Sequence, residues 1–273
     1  MNCLILGYGR AGRRHAQYAE HAGLTVATVD PNPATGANYL DWRVALQESD
    51  WDRVVIASPP NMHIMQLTAC AELGVPVLCE KPLCDLEQLN LLAYAKLPKQ
   101  FMVAYNWLWH PQIEALREVS RLMEYDELKI RSVQYRAELP NWSLLIDHIS
   151  HALVMTAYIT GEDELAVTDA LHNVNDYYQS IALREYWLVN GEFYDGHGRF
   201  KLIDGVTIAP TERVNDISLA RKDERLCHMN VQPDNQMFAR MWSEYMAGTD
   251  TKGTVKLALN VQAALEETWQ IVK

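Results

Sequence analysis

Residues 3–12 read Cys3-Leu4-Ile5-Leu6-Gly7-Tyr8-Gly9-Arg10-Ala11-Gly12, an apolar run that ends in a complete G-x-G-x-x-G. The run suits a strand buried on both faces, and Ala11–His21 beyond it carries a helical stripe. Between a strand and a helix the three glycines have separate tasks. Gly7 permits the tight turn, Gly9 lets the backbone approach a pyrophosphate, and Gly12 lets helix and strand pack closely. The helix N-terminus, at Arg10 and Ala11, then turns free N–H groups toward the phosphates. A lone G-x-G-x-x-G is a weak signal, and a glycine-rich turn without a ligand is the competing reading. Asp30 weighs against it. This acid ends the second apolar run 18 residues after Gly12, where a ribose-binding carboxylate belongs, although an Asp-Pro-Asn turn would also place an acid there.

Outward from this stretch, short Val-, Ile- and Leu-rich runs recur at Thr25–Val29, Arg53–Ser58, Val75–Cys79 and Phe101–Ala104. Amphipathic stretches at Met62–Leu73, Leu86–Ala95 and Ile113–Met123 separate them. Such alternation predicts an α/β fold, an N-terminal Rossmann domain with a doubly wound parallel sheet. The pattern changes near residue 120, so we expect a dinucleotide-binding domain over residues 1–120 and an α+β substrate and oligomerisation domain over 121–273. In that second half, Leu128–Ala137, Ala166–Val174, Gln179–Val189 and Phe200–Ile208 read as strands of an open, largely antiparallel sheet. Helices are expected at Leu144–Thr160, Asn235–Met246 and Val255–Val272.

Composition narrows the function classes. A net charge of −11 disfavours a nucleic-acid partner, because phosphate contacts need clustered Lys and Arg. No apolar run reaches the roughly 18 residues of a membrane span, and Met1–Leu6 is too short for a signal peptide. Five cysteines without metal-like spacing read as reduced thiols, so the chain is expected to be cytoplasmic and to bind no metal.

Three motifs together resemble one family. They are Gly7–Gly12 with Arg13-Arg14-His15, then Ser58-Pro59-Pro60-Asn61-Met62-His63, then Gly74-Val75-Pro76-Val77-Leu78-Cys79-Glu80-Lys81-Pro82-Leu83. In this order they resemble the glucose–fructose oxidoreductase/inositol dehydrogenase (Gfo/Idh/MocA) family. The resemblance implies NAD as cofactor, with NADP a possible substitute, and redox chemistry on a sugar, inositol or nucleotide sugar. It adds Ser58, Pro59, Asn61, His63, Glu80 and Lys81 to the cofactor site, although His63 and His110 read more readily as structural. It also implies that Lys81 reaches nicotinamide and substrate, that the Lys–Pro bond is cis, and that an Asp-x-x-x-His supplies an acid/base histidine. Asp147 and His151 fit that pattern, at i and i+4 on one helical face.

The chain departs from the family at Asn106-Trp107-Leu108, at Asn141-Trp142-Ser143 and at Val154, which leaves the substrate open. Asn106, Trp109 and Trp142 are candidate substrate contacts, since aromatic faces stack on sugar rings, and interdomain packing explains the tryptophans equally well. Zinc is a competing use for Asp147, His148 and His151, but cysteine ligands are missing there. Two other functions stay open: a cofactor-binding regulatory protein without catalysis, and an imine or tetrapyrrole reductase. Asp30 with no Arg or Lys before Arg43 favours NAD over NADP. A homo-oligomer, dimer or tetramer, is expected through the second sheet. There Ile181, Leu183, Glu185, Trp187 and Val189 would share one face of a continuous strand.

Overall fold

The computed structural model describes the chain apart from residues 86–87, 93, 126, 135–140, 162–169, 175–177, 184–185, 192–199, 202–206, 209–212, 222–223, 233, 250–251 and 273. It divides into two compact units, Met1–Asn106 with Phe238–Gln262, and Trp107–Met237 with Ala263–Lys273. The chain passes from the first unit to the second at Asn106/Trp107 and returns to its first unit late. A single cut in the sequence cannot express that return.

The first unit is built on five parallel strands, β1 (Asn2–Leu6), β2 (Thr25–Val29), β3 (Arg53–Ile56), β4 (Val77–Cys79) and β5 (Phe101–Val103). Their order is β2-β1-β3-β4-β5, with matched registers such as Leu6↔Val29 and Leu6↔Ile56. Beyond β2 a single parallel bridge, Val29↔Tyr39, extends the edge. Helices α1 (Arg10–His21), α2 (Trp42–Glu48) and α3 (Pro60–Leu73) connect the early strands. Leu4, Ile5, Leu6, Val54, Val55, Ile56, Val77 and Leu78 are fully buried, as strands covered on both faces require. Among the described residues helix α4 covers Leu89–Leu92, inside the expected Leu86–Ala95, of which residues 86–87 and 93 lie outside the described residues.

The second unit carries α5 (Pro111–Leu122), β6 (Glu127–Gln134) and α6 (Asn141–Thr160), followed by β7 (Ala170–Val174), β8 (Tyr178–Leu183) and β9 (Tyr186–Gly191). The short strands β10 (Phe200–Lys201) and β11 (Thr207–Ile208) pair with each other. A long hairpin, β12 (Arg213–Arg221) and β13 (Glu224–Val231), follows; nothing in the sequence reading anticipated it. The main sheet runs β13-β12-β6-β9-β8-β7, antiparallel except where β6 meets β9. The expected open, largely antiparallel sheet is therefore present. Ser120 Oγ donates to the Ile159 carbonyl at 2.5 Å and so ties α5 to α6.

One expectation is corrected here. Residues 179–189 form two strands and not one: β8 and β9 pair antiparallel with Ile181↔Leu188 and Ala182↔Trp187. Partners directly opposite share a face and neighbours alternate, so Ile181 and Leu183 lie on one face while Trp187 and Val189 lie on the other. The continuous apolar stripe offered for oligomerisation does not exist. Helix α7 (Asn235–Ala247) and helix α8 (Val255–Val272) close the chain. Among the described residues no helix is long and apolar enough to cross a membrane.

Candidate functional site

Five parallel strands end on the same edge of the first unit's sheet, so the segments after them are gathered there. These are Gly7–Gly12 after β1, Asp30 after β2, Ser58–Asn61 after β3, Glu80–Lys81 after β4 and Asn106 after β5. Chain order reverses between β1 and β3, and open α/β sheets place ligands outside the carboxyl ends of strands at that point.

The glycine loop meets the demands of a phosphate cradle. Gly7 has φ +92°, and a Cβ there would meet the backbone of Ala57 and Ser58 at 2.6 Å. A Cβ on Gly12 would collide with the Gly7 carbonyl oxygen. Nothing lies within 4 Å of a Cβ built on Gly9, which is exposed and caps α1. Two glycines are therefore required by the protein itself, and the third leaves room that the protein does not use. That space, beside the N–H groups of Arg10 and Ala11, fits a dinucleotide pyrophosphate.

Asp30 holds the loop as well as facing the site. One carboxylate oxygen accepts the Tyr8 N–H at 2.9 Å and the other accepts the Asn32 N–H at 2.9 Å. Each oxygen keeps a further lone pair for a ribose hydroxyl. Arg13 stacks its guanidinium 4.4 Å from the centre of the Tyr8 ring and donates to the Thr35 carbonyl at 2.9 Å. This engages one of the two cations of α1, Arg13 and Arg14, that could have drawn a 2′-phosphate.

The Ser58–His63 segment is organised from below. His63 is fully buried, with Nε2 2.8 Å from the Ser58 carbonyl and Nδ1 3.0 Å from the Pro82 carbonyl. Burial pushes the His63 ring below its ordinary pKa, against the opposite pull of those carbonyls and of Glu80. Both ring nitrogens face backbone carbonyls, one in the β3 loop and one in the Lys81-Pro82 turn, and a neutral ring donates to one of them. Ser58 Oγ donates to Gln66 at 2.6 Å, while Pro59 and Asn61 open α3.

The Lys81–Pro82 peptide is cis. Glu80 is largely buried, its Oε1 2.9 Å from His15 Nε2 and its Oε2 accepting the Lys81 N–H at 3.2 Å. Burial alone would raise its pKa; the His15 hydrogen bond and the Lys81 charge outweigh it and hold the carboxyl below the usual range. Lys81 itself is half-buried.

In the second unit, His151 lies on α6, 4% exposed, with the Trp107 ring edge-on at 6.4 Å. Asp147 and Trp142 share that helix, but their side chains are outside the described residues. Asn106 and Trp109 belong to one 3₁₀ turn and both are buried. Trp109, at 2% exposure, offers no open ring face to a sugar. His110 caps α5 by accepting the Gln112 N–H at 3.2 Å and bonds the Gln232 carbonyl at 2.8 Å.

The sequence reading assigned no role to His15 or Trp242. The inward stripe of α1, Gly12, His15, Ala16 and Ala19, could have singled out His15 as a polar group on a buried face.

Comparison with known proteins adds the following. Residues 1–105 match the Gfo/Idh/MocA profile, described as "Oxidoreductase family, NAD-binding Rossmann fold". An inositol 2-dehydrogenase of Pseudarthrobacter chlorophenolicus is 29% identical over 192 residues, 62% of this chain and 57% of that protein. The rhizopine catabolism protein MocA of Rhizobium meliloti is 32% identical over 128 residues, 42% of this chain and 40% of that protein. The matches thus span 57% and 40% of the length of these curated relatives. Among solved structures, scyllo-inositol dehydrogenase from Lactobacillus casei, with NAD(H) and scyllo-inositol bound, superposes with a TM-score of 0.71. It is 16% identical, with 100% of this chain and 96% of that one covered, a likeness that establishes the fold.

Proposed function

We propose that this chain, whose residues 1–105 match the Gfo/Idh/MocA oxidoreductase family, is an NAD-dependent dehydrogenase of a cyclic polyol or sugar. The observation that carries the proposal is the gathering, at one sheet edge, of a glycine cradle with spare room at Gly9 and a Glu80-Lys81-cis-Pro82 turn. The names of the relatives supply the substrate class. NAD, when bound, supplies a nicotinamide that exchanges hydride with an alcohol carbon.

The chain's own residues do the rest. Gly7, Gly9, Arg10, Ala11 and Gly12 hold the pyrophosphate, and Asp30 accepts the ribose hydroxyls and repels a 2′-phosphate. Ser58, Pro59 and Asn61 wall the same edge. Lys81 donates a hydrogen bond to the substrate oxygen and stabilises the alkoxide as its proton leaves. His151 takes that proton in the oxidative direction and returns it in reverse, with Asp147 orienting the ring. Asn106 and Trp142 are the remaining substrate contacts. A homo-oligomer, dimer or tetramer, is part of the reading, carried by the open six-stranded sheet; light scattering that shows a monomer at micromolar concentration removes it.

The deciding experiment mixes the protein and NAD with myo-inositol, scyllo-inositol, glucose and a UDP-linked sugar, and follows reduced nicotinamide by absorbance. We expect turnover with a cyclic polyol or sugar. Tight NADH binding without turnover of any member supports a regulatory cofactor-binding protein instead. Tighter binding of NADPH than of NADH overturns the role given to Asp30.

A further inference from the structure

We propose that Trp242 and His15 are positioning residues for Lys81, acting through Glu80. The inference rests on the reading of Lys81 as the group that meets the reacting oxygen, and it assigns to α1 and α7 a part in that chemistry.

The chain of contacts has a single direction. Trp242 Nε1 lies 3.1 Å from His15 Nδ1, and an indole N–H can only donate. His15 Nδ1 is therefore the unprotonated acceptor, and a neutral ring carries its proton on Nε2. That Nε2–H is 2.9 Å from Glu80 Oε1 and donates to it. The other oxygen, Oε2, accepts the Lys81 N–H at 3.2 Å. Turning the imidazole over would present C–H where N–H is needed, and a second ring proton would oppose the indole N–H.

The surrounding packing removes other freedoms. His15 is fully buried, with the rings of Phe238 and Trp242 each 5.8 Å from its own. Phe238 is in turn stacked on Tyr18 at 5.7 Å and covered by the Arg14 guanidinium at 4.8 Å. The Glu80 carboxylate is thus gripped at Oε1 by an oriented donor, which fixes where Oε2 meets the backbone of Lys81. At the far end of the same turn His63 contacts the Pro82 carbonyl. The Glu80 end of the turn is thus anchored by His15, which is itself oriented by a tryptophan 227 residues away in sequence.

The test uses the full chain with NADH bound. Long-range ¹H–¹⁵N spectra should show His15 as the Nε2–H tautomer, and the Lys81 amide proton should lie downfield as a donor to a carboxylate. Trp242→Phe keeps a ring in place and removes only the donor. We expect it to shift the Lys81 amide signal and lower kcat for myo-inositol oxidation by about tenfold, with KM for NAD nearly unchanged. His15→Gln, which retains an N–H for Glu80, should keep more of kcat than His15→Leu.

An unmoved Lys81 signal and full kcat in Trp242→Phe overturn the relay, as does a change confined to KM. Wild-type turnover by Lys81→Ala would instead overturn the underlying reading of Lys81. Should the wild-type protein not oxidise myo-inositol, the polyol reading fails, and the Lys81 amide signal decides the relay by itself.

Discussion

The loops at the edge of the parallel sheet and the helix that carries His151 reach their candidate chemistry by different means. In the loops, separate parts of the chain fix one another's polar atoms: Asp30 with the Tyr8 N–H, Glu80 with His15 Nε2, His63 with the Pro82 carbonyl. Helix α6 offers His151 through residue spacing, with Asp147 one turn before it and the Trp107 ring edge-on. A site composed of backbone geometry tolerates few sequences and leaves a motif at fixed spacing. A site composed of one helical face asks only for a residue pair, and a satisfied core histidine would look the same. The two regions should therefore respond differently to substitution.

The largest effect is expected at the reacting groups. Positioned proton transfer contributes about 10²–10⁴-fold, so His151→Ala should lower kcat by that order with NADH binding nearly unchanged. Lys81→Ala should cost at least as much, because it removes charge from the reacting oxygen. Equal turnover by wild type and His151→Ala, in a folded variant, would reduce α6 to packing and confine the chemistry to the loops.

The next effect separates two glycines of the same loop. Gly12→Ala drives a methyl into the Gly7 carbonyl, so unfolding by urea should show a loss of about 3 kcal/mol or more. Gly9→Ala meets open space and should leave stability within about 0.5 kcal/mol while weakening NADH binding at least several-fold. Unaltered NADH affinity in Gly9→Ala would mean that the cradle faces no phosphate.

A smaller signature is the dependence of stability on pH. Burial holds the His63 pKa below 6.5, so the unfolded chain takes up a proton first. Its stabilisation is complete above 6.5 and is lost as pH falls toward the folded value. Glu80, held below 4.5 against the effect of burial by His15 and Lys81, adds a second loss that begins lower. Melting curves for His63→Gln should lack the first loss and keep the second. A curve parallel to that of wild type would contradict the assignment.

The smallest effect compares local opening in the two units. Burial pushes the thiols of Cys3 and Cys70 up to about 12, and Cys79 well above its ordinary value. Cys227 on β13 is half-exposed. Iodoacetamide should label Cys227 in the folded protein and the other three only as the first unit opens, more slowly with NADH present. Labelling of all four at one rate would deny the first unit its separate stability.

Legibility followed the same division. Strand β2 was readable to the residue at Thr25–Val29, and β1, β4 and β5 within two residues, because strands covered on both faces are bare apolar runs. The second sheet was harder. In β12 the apolar positions Val214, Ile217 and Leu219 do not keep one parity, so the period-two signal breaks. In residues 178–191 two alternating strands merged into one on paper, since Arg184 and Glu185 carry no turn signature. The Gly7–Gly12 cradle and Lys81 were visible as motifs. The linkage of His15 to Trp242 was not, because a hydrogen bond across 227 positions has no local pattern.

The late return of the chain to its first unit bears on how the protein is made. Synthesis delivers β1 to β5 early, yet the Tyr245 hydroxyl that donates to the Val54 carbonyl at 3.0 Å emerges only near the end. So does Trp242, which sets the tautomer of His15. The nascent sheet must wait, with its α7-facing surface bare, while Trp107–Met237 of the second unit is translated. The unit that begins the polypeptide thus stays unfinished until Phe238–Gln262 has been made, and a chaperone would find its client there.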